Sequence, residues 1–190
     1  METHPTVTPT NPLTDGMVLL RLPDEGDIAA VYRYGQDPDI KETAWLPIPF
    51  LCPQEVAART VQEFQQGWHG RYGLTLIITM PPDDDLRGVV HLSLHAAGTG
   101  EIAYGVALPH RRQELAARAV TLASAWAFRE LGLTGLEIVV TARGAHGLAS
   151  RRVAEKAGFI QAGIRRSHLP ATGRDYEDPL YILSAPGSGA

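Results

Sequence analysis

The sequence predicts an α/β fold in which a mixed β-sheet carries helices on both faces. Three observations predict it. Aliphatic and β-branched runs alternate with segments of helical period. The longest helical stretch, Leu115–Leu131, lies between strand-like runs, and the breaks fall at glycine and proline. The resulting order is β-α-α-β-β-β-α-β-α-β-β.

Met17–Leu22 (MVLLRL) opens as a strand. Asp24 is placed to cap a helix from Glu25 to Tyr34, which Gly35 and the Asp37-Pro38 turn break. Residues 42–53 form a proline-punctuated loop holding Trp45, Leu46, Ile48 and Phe50, and Pro53 starts a helix over Gln54–Gln66. Leu74–Thr79 is a strand, followed by PPDDD, read as a solvated acidic turn. Gly88–Leu94 and Glu101–Leu108 form a hairpin across the turn Ala96–Gly100. Leu115, Ala119, Leu122 and Trp126 mark the long helix, which Gly132 stops. Leu136–Ala142 is β-branched and reads as a central strand. A short helix over Leu148–Ala157 ends at Gly158, and the strands Phe159–Ile164 and Leu180–Ser184 flank a loop over 165–179.

A chain of 190 residues with 44% hydrophobic and 20% charged residues fits one globular domain. We place that domain at 13–184, after a Thr/Pro-rich tail (1–12) and before a flexible C-terminus (185–190). A net charge of −4 and the lack of an Arg/Lys stripe argue against nucleic acid as a partner. A lone cysteine, Cys52, excludes an internal disulfide and fits a reducing cytoplasm. No apolar run approaches the ~20 residues that cross a bilayer, so no membrane role is expected. The first residues have neither the basic start nor the apolar run of a signal peptide, and the expected location is cytoplasmic.

Four segments in order, LTDGMVLLRL with DEGDI, EIAYGVALPHRR, LAARAVTLASAWAFRELGL and ASRRVAEKAGF, resemble the RimJ/RimL-like branch of the GNAT N-acetyltransferase superfamily. The likeness runs from Leu13 to Leu183. It implies the GNAT fold, acetyl-CoA or another acyl-CoA as co-substrate, and a primary amine as acceptor, on a small molecule or a protein N-terminus. It also implies that the strands 101–108 and 136–142 splay apart. Pantetheine would then pair with the exposed backbone of the first, at Val106, Ala107 and Leu108. Diphosphate would sit on the start of the long helix, at Arg111, Arg112, Gln113, Leu115, Ala116 and Ala117. A helix N-terminus suits that role, since it offers free N–H groups and a partial positive charge.

The chain departs from the family at two places. Where the family has glycine in this cradle, Glu114 stands at the central position and Arg112 at another common one. A carboxylate there either repels the diphosphate or merely complements the helix dipole, while Arg111 and Arg112 offer guanidinium groups to phosphate. Gly147 stands where the family has an Asn three residues before a Ser, and the serine, Ser150, is retained. By resemblance Ser150 faces coenzyme A or protonates the departing thiolate. Its alternative reading is a cap on the helix 148–157.

Acylating an amine requires a base for the ammonium and an acid for the leaving thiolate. If His95 faces Glu101 across the hairpin turn, His91, Ser93, His95 and Glu101 share one face, and Val90, Leu92 and Leu94 share the other. The family often uses a glutamate on the strand 101–108, which makes Glu101 the first candidate base. His91 is the second, because it titrates near neutrality. Asp175 is a third. A metal centre is not expected, since His91 and His95 on one strand stand ~13 Å apart. An N-acyltransferase competes with a GNAT-fold binding or regulatory protein that has lost acyl-CoA binding and activity. The oligomeric state, including a homodimer, is not fixed by the chain.

Overall fold

The computed structural model describes residues 7–38, 40, 54–68, 73–95, 98–140, 144–169 and 174–187. The loop at Trp45–Phe50, Cys52 and Pro53 lie outside them. The elements are β1 (Leu13–Thr14), β2 (Leu19–Arg21), a 3-10 turn at Glu25–Asp27, α1 (Ile28–Gln36), α2 (Gln54–Gln65), β3 (Leu74–Met80), β4 (Asp83–Leu94) and β5 (Thr99–Val106). A 3-10 turn at Leu108–His110 follows, then α3 (Leu115–Glu130), β6 (Gly135–Val139), α4 (Gly144–Lys156), β7 (Ile160–Leu169) and β8 (Arg174–Ser184).

Among the described residues, eight strands form one sheet in the order β1-β2-β3-β4-β5-β6-β8-β7. Every described junction is antiparallel except β5 with β6, which is parallel. The mixed α/β architecture is the expected one, with a two-residue strand added at the front.

Alternation along the strands sorts side chains to two faces. Leu74, Leu76, Val90, Leu92, Ile102, Leu136, Ile138 and Tyr181 pack with Leu115, Ala119, Val120, Ala123 and Trp126 of α3 and Ala154 of α4. The opposite face packs Ile77 and Val89 against Val31 and Tyr34 of α1 and Ala57 and Val61 of α2. Asp24 caps the first helical turn, its carboxylate accepting from the Gly26 amide at 2.8 Å.

Three sequence expectations are corrected. The solvated turn expected over PPDDD is confined to Pro81–Pro82, and Asp83, Asp84 and Asp85, exposed as expected, already begin β4. Their charges are engaged at the sheet margin, with Asp83 on Arg87 at 3.1 Å and Asp84 on Arg21 at 2.8 Å. The loop expected at 165–179 is mostly strand. β7 and β8 pair from Ile160↔Ile182 to Leu169↔Arg174. The charges along 165–178 sit on two paired strands, where Arg166 and Glu177 oppose one another while remaining exposed. The short helix begins at Gly144, four residues before the expected Leu148.

Candidate active site

The junction of β5 with β6 opens a slot in the sheet. Among the described residues, the two strands pair at Thr99↔Gly135, Gly100↔Leu136 and Glu101↔Glu137 and no further. Beyond that point β5 stays on β4, through Leu92↔Ile102 to Gly88↔Val106. β6 stays on β8, through Ile138↔Tyr181 and Val139↔Leu180. The edge of β5 from Ile102 onward therefore faces β6 without pairing to it. An extended molecule carrying amides can pair with such an edge as another strand would.

The slot leads to the start of α3. Val106 ends β5, Ala107 donates to the Arg87 carbonyl at 2.9 Å, and Leu108 is exposed in the 3-10 turn. Arg112 and Glu114 both have left-handed backbone, with φ of 64° and 62°. These are the two positions where the resemblance calls for glycine, and the backbone holds glycine's conformation without glycine. Glu114 makes no side-chain cap. The first helical bond is Arg118 to the Glu114 carbonyl at 3.1 Å. The amides of Leu115, Ala116 and Ala117 consequently have no acceptor within the helix, an arrangement that attracts anions.

Two charged side chains of this loop are held by partners on other elements. The Glu114 carboxylate pairs with Lys156 on the last turn of α4, and that hydrogen bond and charge hold it below the ordinary glutamate range. Arg111 donates Nε to the Val106 carbonyl at 3.0 Å and contacts Asp37 at 3.3 Å, so its guanidinium staples the end of β5 to the end of α1. Arg112 and Gln113 are exposed, Leu115 and Ala117 are buried, and Ala116 is half-buried.

Ser150 lies inside α4, seven residues into the helix, so it does not cap it. The cap reading fails because the helix begins earlier than the chain pattern indicates. The serine meets Tyr104 of β5 instead. The Tyr104 hydroxyl donates to the Ser150 carbonyl at 2.8 Å and lies 2.9 Å from the Ser150 Oγ. Burial pushes the Tyr104 phenol up to about 12, although its bond to Ser150 works the other way. It stays protonated across the physiological range. Tyr104 stands on the unpaired stretch of β5, so this contact bridges the slot between β5 and the helix that follows β6.

The candidate bases lie on the other face. The hairpin register is offset by two from the expected one: Ser93 opposes Glu101 and His91 opposes Ala103. An even offset preserves the faces, so His91, Ser93 and Glu101 still share a side. His91 is 6% exposed and its Nδ1 is 2.8 Å from the Thr75 hydroxyl. Glu101 is more open and accepts from Arg165 at 2.7 Å. The same guanidinium pairs with Glu137, and His95 lies 3.9 Å from Glu101 and 3.8 Å from Glu137. One arginine thus holds both carboxylates of the last strand pair before the slot. Asp175 lies on β8 opposite His168.

A family model described as "Acetyltransferase (GNAT) domain" matches residues 17–160. The chain belongs to the GNAT acetyltransferase family. Bacillus subtilis has a relative, an uncharacterized N-acetyltransferase, YoaA, that is 23% identical over 175 residues, covering 91% of this chain and 96% of that protein. Among solved structures, a GNAT-family acetyltransferase from Bacillus anthracis superposes with a TM-score of 0.76 at 16% identity, covering 92% of this chain and 98% of the other. A spermidine N-acetyltransferase from Vibrio cholerae, solved with CoA and spermine, gives a TM-score of 0.69 at 15% identity, covering 92% and 99%.

Within this GNAT domain, four residues of the site escape sequence reasoning. Tyr104, Arg165, Glu137 and Lys156 each act on a partner between 28 and 64 positions away. A faint signal existed for Tyr104 alone, as a polar aromatic at a core-facing position of a strand otherwise lined by Ile102. Such a hydroxyl needs a partner when buried.

Proposed function

We propose that this GNAT protein is an N-acyltransferase that moves an acetyl or related acyl group from acyl-CoA to a primary amine. The observation that carries the reading is the parting of β5 and β6 after Glu101↔Glu137, beside an uncapped helix start with left-handed backbone at Arg112 and Glu114. Pantetheine runs along β5 from Ile102 to Val106 and on past Ala107 and Leu108, and the diphosphate sits on the amides of Leu115, Ala116 and Ala117. Gln113 and Arg112 are the exposed side chains able to close over it, while Arg111 holds the loop through Asp37.

Ser150 is the donor for the departing thiolate, since its hydroxyl lies at the slot and is not used in capping. Glu101 is favoured over His91 as the group that takes the amine proton, because His91 is enclosed against Thr75 while Glu101 is half-buried at the slot's root. The acceptor is a small-molecule amine or a protein N-terminus, in keeping with the RimJ/RimL-like segments.

Glu114 supports a second reading, a GNAT-fold binding or regulatory protein without acyl-CoA affinity, because a carboxylate at the helix start opposes an anion. Its pairing with Lys156 weighs against that reading. Calorimetric titration with acetyl-CoA separates the two. Binding in the micromolar range supports the enzyme, and no binding at a concentration on the order of 1 mM rejects it.

A further inference from the structure

We propose that Tyr104 is a positioning residue for the leaving-group step, holding the Ser150 hydroxyl and relaying hydrogen bonding through it to the coenzyme A sulfur. The inference rests on the acyltransferase reading and names a residue that this reading does not require.

The proton count at the contact sets the direction of each bond. A phenol has one proton, and a backbone carbonyl can only accept. Tyr104 therefore donates to the Ser150 carbonyl at 2.8 Å, and the Ser150 hydroxyl donates to the Tyr104 oxygen at 2.9 Å. Ser150 sits inside a helix, where serine usually returns its proton to a carbonyl one turn back. Here the hydroxyl is drawn off the helix toward β5. Tyr104 lies three positions beyond the last β5–β6 pair, at Glu101, on the stretch of β5 that faces the slot.

When the carbon–sulfur bond of the tetrahedral adduct breaks, its electron pair goes to sulfur. The Ser150 hydroxyl turns its proton to that sulfur, and the Tyr104 hydroxyl turns from the carbonyl to the Ser150 oxygen. Two hydrogen bonds in series then face the new negative charge, and neither residue becomes an anion. The proton that completes the free thiol is the one the acceptor nitrogen gives up on becoming an amide, so atoms and charge balance without another reactant. Two rotating donors cost little to rearrange, and charge-assisted hydrogen bonds are the stronger kind.

The test needs no acceptor. Coenzyme A and its desulfo analogue are titrated calorimetrically into the full chain at about pH 7 and about pH 9.5, on either side of an ordinary thiol's ~8.5. The wild type is expected to bind coenzyme A at least about threefold tighter at the higher pH, with no such gain for the desulfo analogue. Tyr104→Phe and Ser150→Ala should each abolish the gain, and the double variant should lose nothing more. A Tyr104→Phe protein that keeps the full gain overturns the inference while leaving the acyltransferase reading intact. Failure of the wild type to bind either molecule overturns both. Ser150→Ala keeps Tyr104 on the carbonyl, so it carries the test if Tyr104→Phe does not fold. An unchanged gain in Ser150→Ala equally overturns the relay.

Discussion

Glu114 begins helix α3 in the left-handed conformation, and its carboxylate is held by Lys156 at the end of α4. The relationship explains how a residue that would oppose a bound anion is accommodated at an anion-attracting helix start. The backbone keeps the shape glycine would give, and the side chain is drawn toward α4. Replacing Glu114 by Gly removes the steric cost of left-handed backbone. We expect Glu114→Gly to raise the melting temperature by roughly 2–4 °C, read by thermal denaturation. A lower melting temperature would show that the exposed ion pair outweighs the backbone strain.

Lys156 should matter more for cofactor than for stability. In Lys156→Ala the Glu114 carboxylate stands at the helix start without its counter-charge. Acetyl-CoA affinity is expected to fall about two- to fivefold, the range that an exposed pair supports. The loss should disappear in the Glu114→Gly background. Equal losses in both backgrounds would instead mean that Lys156 contacts the cofactor directly.

His110 gives the domain a pH dependence with a definite sign. Arg87 donates to its Nδ1 at 3.0 Å, and burial followed by the Arg87 charge hold the imidazole below the ordinary 6.5. With the folded value below the unfolded one, the unfolded chain takes up the proton first as pH falls. The contribution of neutral His110 is complete above about 6.5 and is lost as pH falls through the lower folded value. The melting-temperature advantage of wild type over His110→Gln should therefore shrink between about pH 7.5 and about pH 5.5. An advantage that grows over that interval would contradict the assignment.

Much of the fold was legible because periodicity is a local property. The strand Leu74–Met80 is buried nearly throughout and α3 carries its apolar stripe, and both appear where their residue patterns place them. Alternation also put His91, Ser93 and Glu101 on one face, even though the hairpin register differs by two. What stayed hidden depends on pairing at a distance. Arg165 reads as loop charge until β8 lies beside β7 and brings it to Glu101 and Glu137. Ser150 reads as a cap until the helix is seen to start at Gly144. Nothing in the residue types of Arg112 or Glu114 announces left-handed backbone, since neither is glycine or asparagine.

Arg111 offers a direct check on how the loop before α3 is held. Its Nε bonds the Val106 carbonyl while a second nitrogen reaches Asp37, a forked geometry that lysine cannot reproduce. Arg111→Lys is expected to cost about 1 kcal/mol, read as a lower urea midpoint at unchanged slope. Asp37→Asn should cost less, because the Val106 bond survives. An unchanged midpoint in Arg111→Lys would show that the loop is held by its backbone alone.

Gly88 opposes Val106 in the β4–β5 ladder with no room for a side chain. A Cβ built on Gly88 would run into the Gly105 carbonyl oxygen and approach the Val106 Cα to 3.0 Å. Both are backbone atoms, so neither can rotate away as a side-chain tip would. Gly88→Ala must then push the end of β5 outward or twist it. That end carries the edge we propose pairs with pantetheine and the carbonyl that Arg111 holds. The substitution is expected to destabilise the fold by about 1–3 kcal/mol and to weaken acetyl-CoA binding disproportionately. Chemical denaturation and calorimetry of the same variant separate the two effects. A folded Gly88→Ala protein with wild-type acetyl-CoA affinity would place the pantetheine elsewhere than on the last residues of β5.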